Sequence, residues 1–212
     1  LLLANDANDQ ESQLLMASVL LRQAKQDDAQ KIIDTVLTQN PENIDALSLK
    51  SAIYFEKNDF DKALSTVEQA LTHDNKNLPL WLFKIKVHAK QNKIDAVIND
   101  YEMLIDLYPD YQNLKLSLAS IFAMTDKLDQ AEMLLREMVN KSQDKLEPKV
   151  ILLEFLQAKR KDKVIAEFDT LLSASQAQPS NMFELSKWML ASGYADQASS
   201  AMQRIIELEK DS

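Results

Sequence analysis

Residues 43–77 read NIDALSLKSAIYFEKNDFDKALSTVEQALTHDNKN, and they hold two helical patterns separated by a short polar turn. In the first half Leu47, Ser51 and Tyr54 step by four and three; in the second Ala63, Val67 and Ala70 do the same. Steps of that size keep side chains on one helical face. Between them Lys57-Asn58-Asp59 suits the turn of a helical hairpin, and Asp74-Asn75-Lys76 breaks the chain after the second helix. Such a hairpin cannot bury its apolar face alone, so it must stack on a neighbour.

The neighbours are copies of it. Asp61 belongs to a series Asp27, Asp61, Asp95, Asp129, Asp162 and Asp196, separated by 34, 34, 34, 33 and 34 residues. Two residues after each stands Ala29, Ala63, Val97, Ala131, Val164 or Ala198. Four further on come Ile33, Val67, Tyr101, Leu135, Phe168 and Met202, then Val36, Ala70, Leu104, Met138, Leu171 and Ile205. The aspartates are expected to be N-caps of the second helices, their carboxylates accepting from free backbone N–H groups. The first helices carry their own columns: Ala17, Ser51, Ile85, Ala119, Leu153 and Ser186, mostly small, with Leu20, Tyr54, His88, Phe122, Leu156 and Met189 three residues later.

Composition agrees with an all-α chain. A single glycine and five prolines in 212 residues leave little with which to build β-hairpins. With 46% hydrophobic and 27% charged residues the chain is expected to fold around a substantial core. A net charge of -9 opposes binding to phosphate backbones, so nucleic acid is not an expected partner. Zero cysteine excludes disulfides and thiolate chemistry. No apolar run approaches the ~18 residues that would suggest a membrane span. The chain opens on Leu1-Leu2-Leu3-Ala4, where the period places the end of a preceding second helix, so a fragment of a longer array is expected.

Residues 43–77 resemble a tetratricopeptide repeat. Leu47, Ser51, Tyr54, Asn58-Asp59-Phe60, Ala63, Val67 and Ala70 stand where that family has its large, small, aromatic, turn and packing residues. Trp81 and Pro109 take its tryptophan and terminal-proline places in the next repeat. The resemblance covers essentially the whole chain and implies one right-handed superhelical solenoid of six repeats, at 10–43, 44–77, 78–111, 112–145, 146–178 and 179–212. Three departures stand out: Ile85 and Leu153 fill the small column, the turn Lys159-Arg160-Lys161 is one residue short, and Ala174 to Ser180 reads as a longer connection than its counterparts.

Function is expected on a surface. The resemblance implies that first helices line a concave face that receives an extended peptide or a helix of another protein. That face would hold Leu14, Ser18 and Arg22; Ser48, Ala52 and Phe55; Leu82, Lys86 and Lys90; Leu116, Ser120 and Ala123; Val150 and Glu154; Phe183 and Lys187. Lys86 and Lys90, one turn apart, are the candidates for an acidic group on the ligand. The lysine–asparagine clamp of repeat proteins that grip chaperone tails is not rebuilt at Leu14, Ser18, Ser48, Ala52, Leu82 and Lys86. An architectural spacer or oligomerisation module, self-associating through apolar ends at Ile205, Ile206 and Leu208, is the alternative reading; an RNA-reading helical repeat is set against the acidic charge.

No catalytic, metal or cofactor site is expected. His88 lies in the bulky packing column and His73 at a helix end, and no phosphate loop, calcium loop or zinc motif appears. The run Lys159-Arg160-Lys161-Asp162-Lys163 reads as a solvated turn. Most of Met124, Met133, Met138, Met182 and Met189 sit at core spacing, and Trp188 is assigned to helix packing. The repeat style resembles bacterial envelope repeat proteins, which favours the periplasm or envelope over the cytoplasm.

Overall fold

Gln10, Ile44, Leu78, Gln112, Leu146 and Pro179, the first residues of the six expected repeats, each begin a helix. The computed structural model describes residues 9–210, and the opening leucines lie outside them. The chain divides between Pro109 and Asp110 into two compact units of three hairpins. The first unit contains α1 (Gln10–Arg22), α2 (Gln26–Gln39), α3 (Ile44–Glu56), α4 (Phe60–His73), α5 (Leu78–Lys90) and α6 (Ile94–Leu107). The second contains α7 (Gln112–Met124), α8 (Leu128–Lys141), α9 (Leu146–Lys159), a 3-10 turn at Lys161–Lys163, α10 (Val164–Ala174), α11 (Pro179–Ala191) and α12 (Ala195–Lys210). No strand occurs among the described residues.

Packing follows the columns. The small column is buried throughout, Ile85 and Leu153 included, and so are the Ala29 and Val36 columns of the second helices. In the first unit Ala17, Ile33, Val36, Ala46 and Ile53 join α1, α2 and α3. Phe55 continues that packing toward α4 and α5, its ring edge-on to Phe60 at 5.5 Å and to Phe83 at 5.6 Å. In the second unit Leu152, Leu153, Leu156, Phe168, Met182, Leu185 and Met189 form the centre of one core, with Trp188 packed against it. Within each unit, neighbouring hairpins thus bury against one another what they cannot bury internally.

The turns inside the hairpins are set by backbone geometry. Ala24, Asn58, Asn92, Asp126 and Gly193 all have φ between 55° and 89°, the left-handed region. The residue after each donates its N–H five residues back, Lys25 to Leu20, Asp59 to Tyr54, Lys93 to His88, Lys127 to Phe122 and Tyr194 to Met189. This is the Schellman ending, which satisfies a carbonyl at the close of the first helix. The acceptors are the bulky column itself. One hairpin breaks the rule: Arg160 has φ −144°, and the second helix opens as the 3-10 turn Lys161–Lys163. Arg160 occupies the place that is left-handed in the other turns, and the residue lost at the 33-residue step lies between it and Asp162.

The aspartate series corrects the expectation of capping. In four hairpins the turn ends so tightly that the second helix starts earlier, capped by Lys25, Asp59, Lys93 and Lys127; Asp27, Asp61, Asp95 and Asp129 lie inside the first turn, as does Asp196 in α12, whereas Asp162 sits in the 3-10 turn before α10. There they still oppose the positive helix end. Of these caps Asp59 alone accepts with its side chain, from Lys62 N–H. Asp61 instead accepts from Gln91 Nε2 at 2.9 Å, and Asp129 from Arg160, tying one hairpin to the turn of the next. In the first unit the first helices are capped by side chains: Asp9, Asn43 and Asn77 accept from backbone N–H groups of α1, α3 and α5.

Two further expectations are corrected. The connection after Ala174 has the same four-residue length, 175–178, as 40–43 and 74–77, because Pro179 is the first residue of α11 and not part of the link. The basic run at 159–163 is not simply solvated. Arg160 pairs with Asp129, and Lys163 donates to Glu132 at 2.8 Å. Arg136 reaches Glu132 at 3.0 Å and Glu167 at 2.6 Å, so three cations surround a buried carboxylate.

Candidate functional site

In the first unit the first helices bring part of the expected face together. Leu14, Ser18 and Ser48 line a cleft of about 330 Å³ between α1 and α3, with Glu11, Leu15, Asp45 and Leu49 completing it. Leu14 is buried as its floor, and Ser18 Oγ donates to the Leu14 carbonyl at 2.9 Å. Glu11 and Asp45 bring two carboxylates to this cleft. Each is the second residue of its helix, a position that carries no apolar signal in the sequence.

Further along the same unit the charge changes sign. Lys86 and Lys90 are exposed, as is Arg22. Lys86 Nζ lies 4.5 Å from the centroid of the Phe55 ring, a cation–π contact that joins α3 to α5. Phe55 itself is buried, so it supports this lysine and offers little surface of its own. Leu82 is 41% exposed on α5.

In the second unit Leu116 is half-buried against the core, and Ser120 Oγ donates to its carbonyl at 2.9 Å. Glu154 is exposed on α9. On α11 Phe183 is 46% exposed, with Lys187 Nζ 5.6 Å from its ring centroid and 2.9 Å from Glu184. Among the methionines Met138, Met182 and Met189 are buried, whereas Met124 is 85% exposed and Met133 is exposed on α8.

The titratable groups fit packing better than chemistry. His88 is buried in its column, Nδ1 2.7 Å from Asp100, which also faces Lys84 at 3.2 Å; Lys84 meets Glu68 at 3.1 Å. His73 ends α4, 3.9 Å from Glu42. Among the described residues no group of three or more His, Asp or Glu is placed to hold a metal ion, and no helix is long and apolar enough to cross a membrane.

This arrangement of hairpins, columns and turns is the tetratricopeptide-repeat fold. Solved structures agree. A tetratricopeptide repeat protein from Parabacteroides merdae ATCC 43184 matches with a TM-score of 0.53 and 14% identity over 97% of this chain and 80% of that one. MamA matches with a TM-score of 0.50 and 12% identity, over 97% of this chain and 94% of its own. In the Naa15/Naa10 structure bound to HypK-THB, the match has a TM-score of 0.57 and 14% identity, covering 94% of this chain and 33% of that chain. No protein-family model and no curated protein matches the sequence.

Proposed function

We propose that the chain is a non-catalytic protein-interaction scaffold whose first-helix face takes an extended segment of a partner. The observation that carries this reading is the polarity of that face in the first unit. An apolar-floored cleft with two carboxylates, Glu11 and Asp45, lies at α1 and α3, and the exposed lysines Lys86 and Lys90 lie at α5. A peptide with a basic residue toward one end, apolar side chains between, and an acidic group toward the other complements it. The Naa15/Naa10 structure, similar in fold, is bound to HypK-THB, which is consistent with this class of role.

Selection from a random peptide display library tests the idea. Enriched peptides are expected to carry an acidic side chain or free carboxylate beside apolar residues, and Lys86→Glu with Lys90→Glu is expected to weaken their capture at least tenfold. Capture that is indifferent to this charge reversal sinks the reading. A second reading, self-association, rests on Ile206, which is 52% exposed on α12; a strictly monomeric sedimentation profile at high concentration counts against it.

A further inference from the structure

One repeat column, occupied by Gln13, Leu47, Trp81 and Met182 in four hairpins, holds Lys115 and Lys149 in the other two. Both lysines are buried, with 4% and 1% of their surface exposed. Their partners differ. Lys115 Nζ donates to the Glu137 carboxylate, 22 positions on, at 2.8 Å. The fifth repeat is one residue short, so the residue aligned with Glu137 there is Thr170, and Lys149 Nζ donates instead to the neutral Ser175 Oγ at 2.8 Å. An ammonium has three protons to place and loses strong hydration on burial. Burial accordingly pushes the Lys149 pKa below that of an ordinary lysine, against a smaller opposing pull from Asp144.

Lys149 also forms part of the wall of a cleft of about 410 Å³ between α8, α9 and α10. Arg136, Asn140, Gln143 and Thr170 supply hydrogen-bonding groups to this wall, and Leu171 belongs to its apolar side. Glu167 is the carboxylate among the lining residues, and Arg136 already holds it at 2.6 Å. With Arg136 held by Glu132 and Glu167, the cation of this lining that faces no carboxylate is Lys149, which lacks the partner its counterpart has. We propose that this cleft binds a small carboxylate with an apolar body, its carboxylate serving Lys149 as Glu137 serves Lys115. The flexible lysine stem lets the ammonium turn from Ser175 to the ligand.

Hexanoate is the probe, with hexanamide and inorganic phosphate as controls, read by calorimetric titration and by the thermal midpoint of the whole chain. Saturable binding of hexanoate, with none of hexanamide or phosphate, is expected. Lys149→Met should weaken it at least tenfold while circular dichroism stays native, since Met182 fills the same column; Lys115→Met should leave it intact. Asn140→Trp, at an exposed position on the rim, should block the cleft without touching Lys149 and provides the second test. Absence of saturable hexanoate binding overturns the proposal. So does affinity equal to that of the unmodified chain in either Lys149→Met or Asn140→Trp, or phosphate binding as tightly as hexanoate.

Discussion

Ala24 holds a left-handed backbone, φ 59°, at a place where Asn58, Asn92, Asp126 and Gly193 do the same in other hairpins. A β-carbon in that region costs roughly 1–2 kcal/mol, less for asparagine and aspartate and nothing for glycine. Ala24→Gly is therefore expected to stabilise the chain by about 0.5–1 kcal/mol once the greater freedom of glycine in the unfolded chain is subtracted. The reverse change, Gly193→Ala, should destabilise it by about 1 kcal/mol. A β-carbon at Gly193 would meet nothing within 4 Å, so this cost isolates backbone conformation from crowding. Urea unfolding of the two variants decides the point: shifts of the same sign would show that the left-handed turn is not what matters.

At the scale of elements, the hairpin of α9 and α10 is built differently from the rest. Arg160 stands where a left-handed residue would close the turn, and the Schellman bond is replaced by side-chain electrostatics. Glu132 on α8 receives Arg136 and Lys163, and Arg160 Nε lies 3.6 Å away. Glu132 is buried, but the side chains of Arg136 and Lys163 are 40% and 39% exposed. Glu132→Ala should therefore cost about 1–3 kcal/mol, between the values for exposed and for buried pairs. Asp129→Ala, which removes an exposed carboxylate from the same group, should cost under about 1 kcal/mol. Chemical denaturation compares them; equal small effects would mean that the cluster does not substitute for the lost turn.

Across the whole molecule, what packing dictates was readable and what solvation dictates was not. Residues that must be apolar or small at a fixed spacing, such as Ala63, Val67 and Ala70, announce both the hairpins and their starts. A lysine in a buried column announces nothing, because Lys115 and Lys149 read as surface residues until their neighbours are known. The two-residue offset between the aspartates and the caps is hidden for a related reason: in four hairpins the left-handed turn that moves the helix start is held by alanine, asparagine or aspartate, and a diagnostic glycine stands only at Gly193. On the expected face Leu14, Ser18 and Ser48 meet around one cleft, whereas Phe55 turns inward beneath Lys86. The carboxylates also differ between the units in a way that pH should expose. Burial pushes the Glu132 pKa up, but hydrogen bonds from Lys163 and Arg136 outweigh it and hold the group below 4.5; hydrogen bonds from Lys115 and Lys141 hold Glu137 low as well. In the first unit the lowered carboxylates, Asp9 and Asp59, are held by Ser12 and Lys62; Asp9 is exposed and Asp59 partly so, and solvent screens what they add. A carboxylate with a depressed folded pKa stabilises fully above its unfolded value, and that contribution is lost as pH falls through the folded one, since the unfolded chain binds more protons. Below pH 4.5, amide protection factors, which correct for the slowing of intrinsic exchange in acid, are therefore expected to fall first in α8, α9 and α10, with those of α1 to α6 following at lower pH. Glu132→Gln should flatten this dependence in α8 to α10. If both units lose protection together and Glu132→Gln changes nothing, these charge clusters do not govern the acid response.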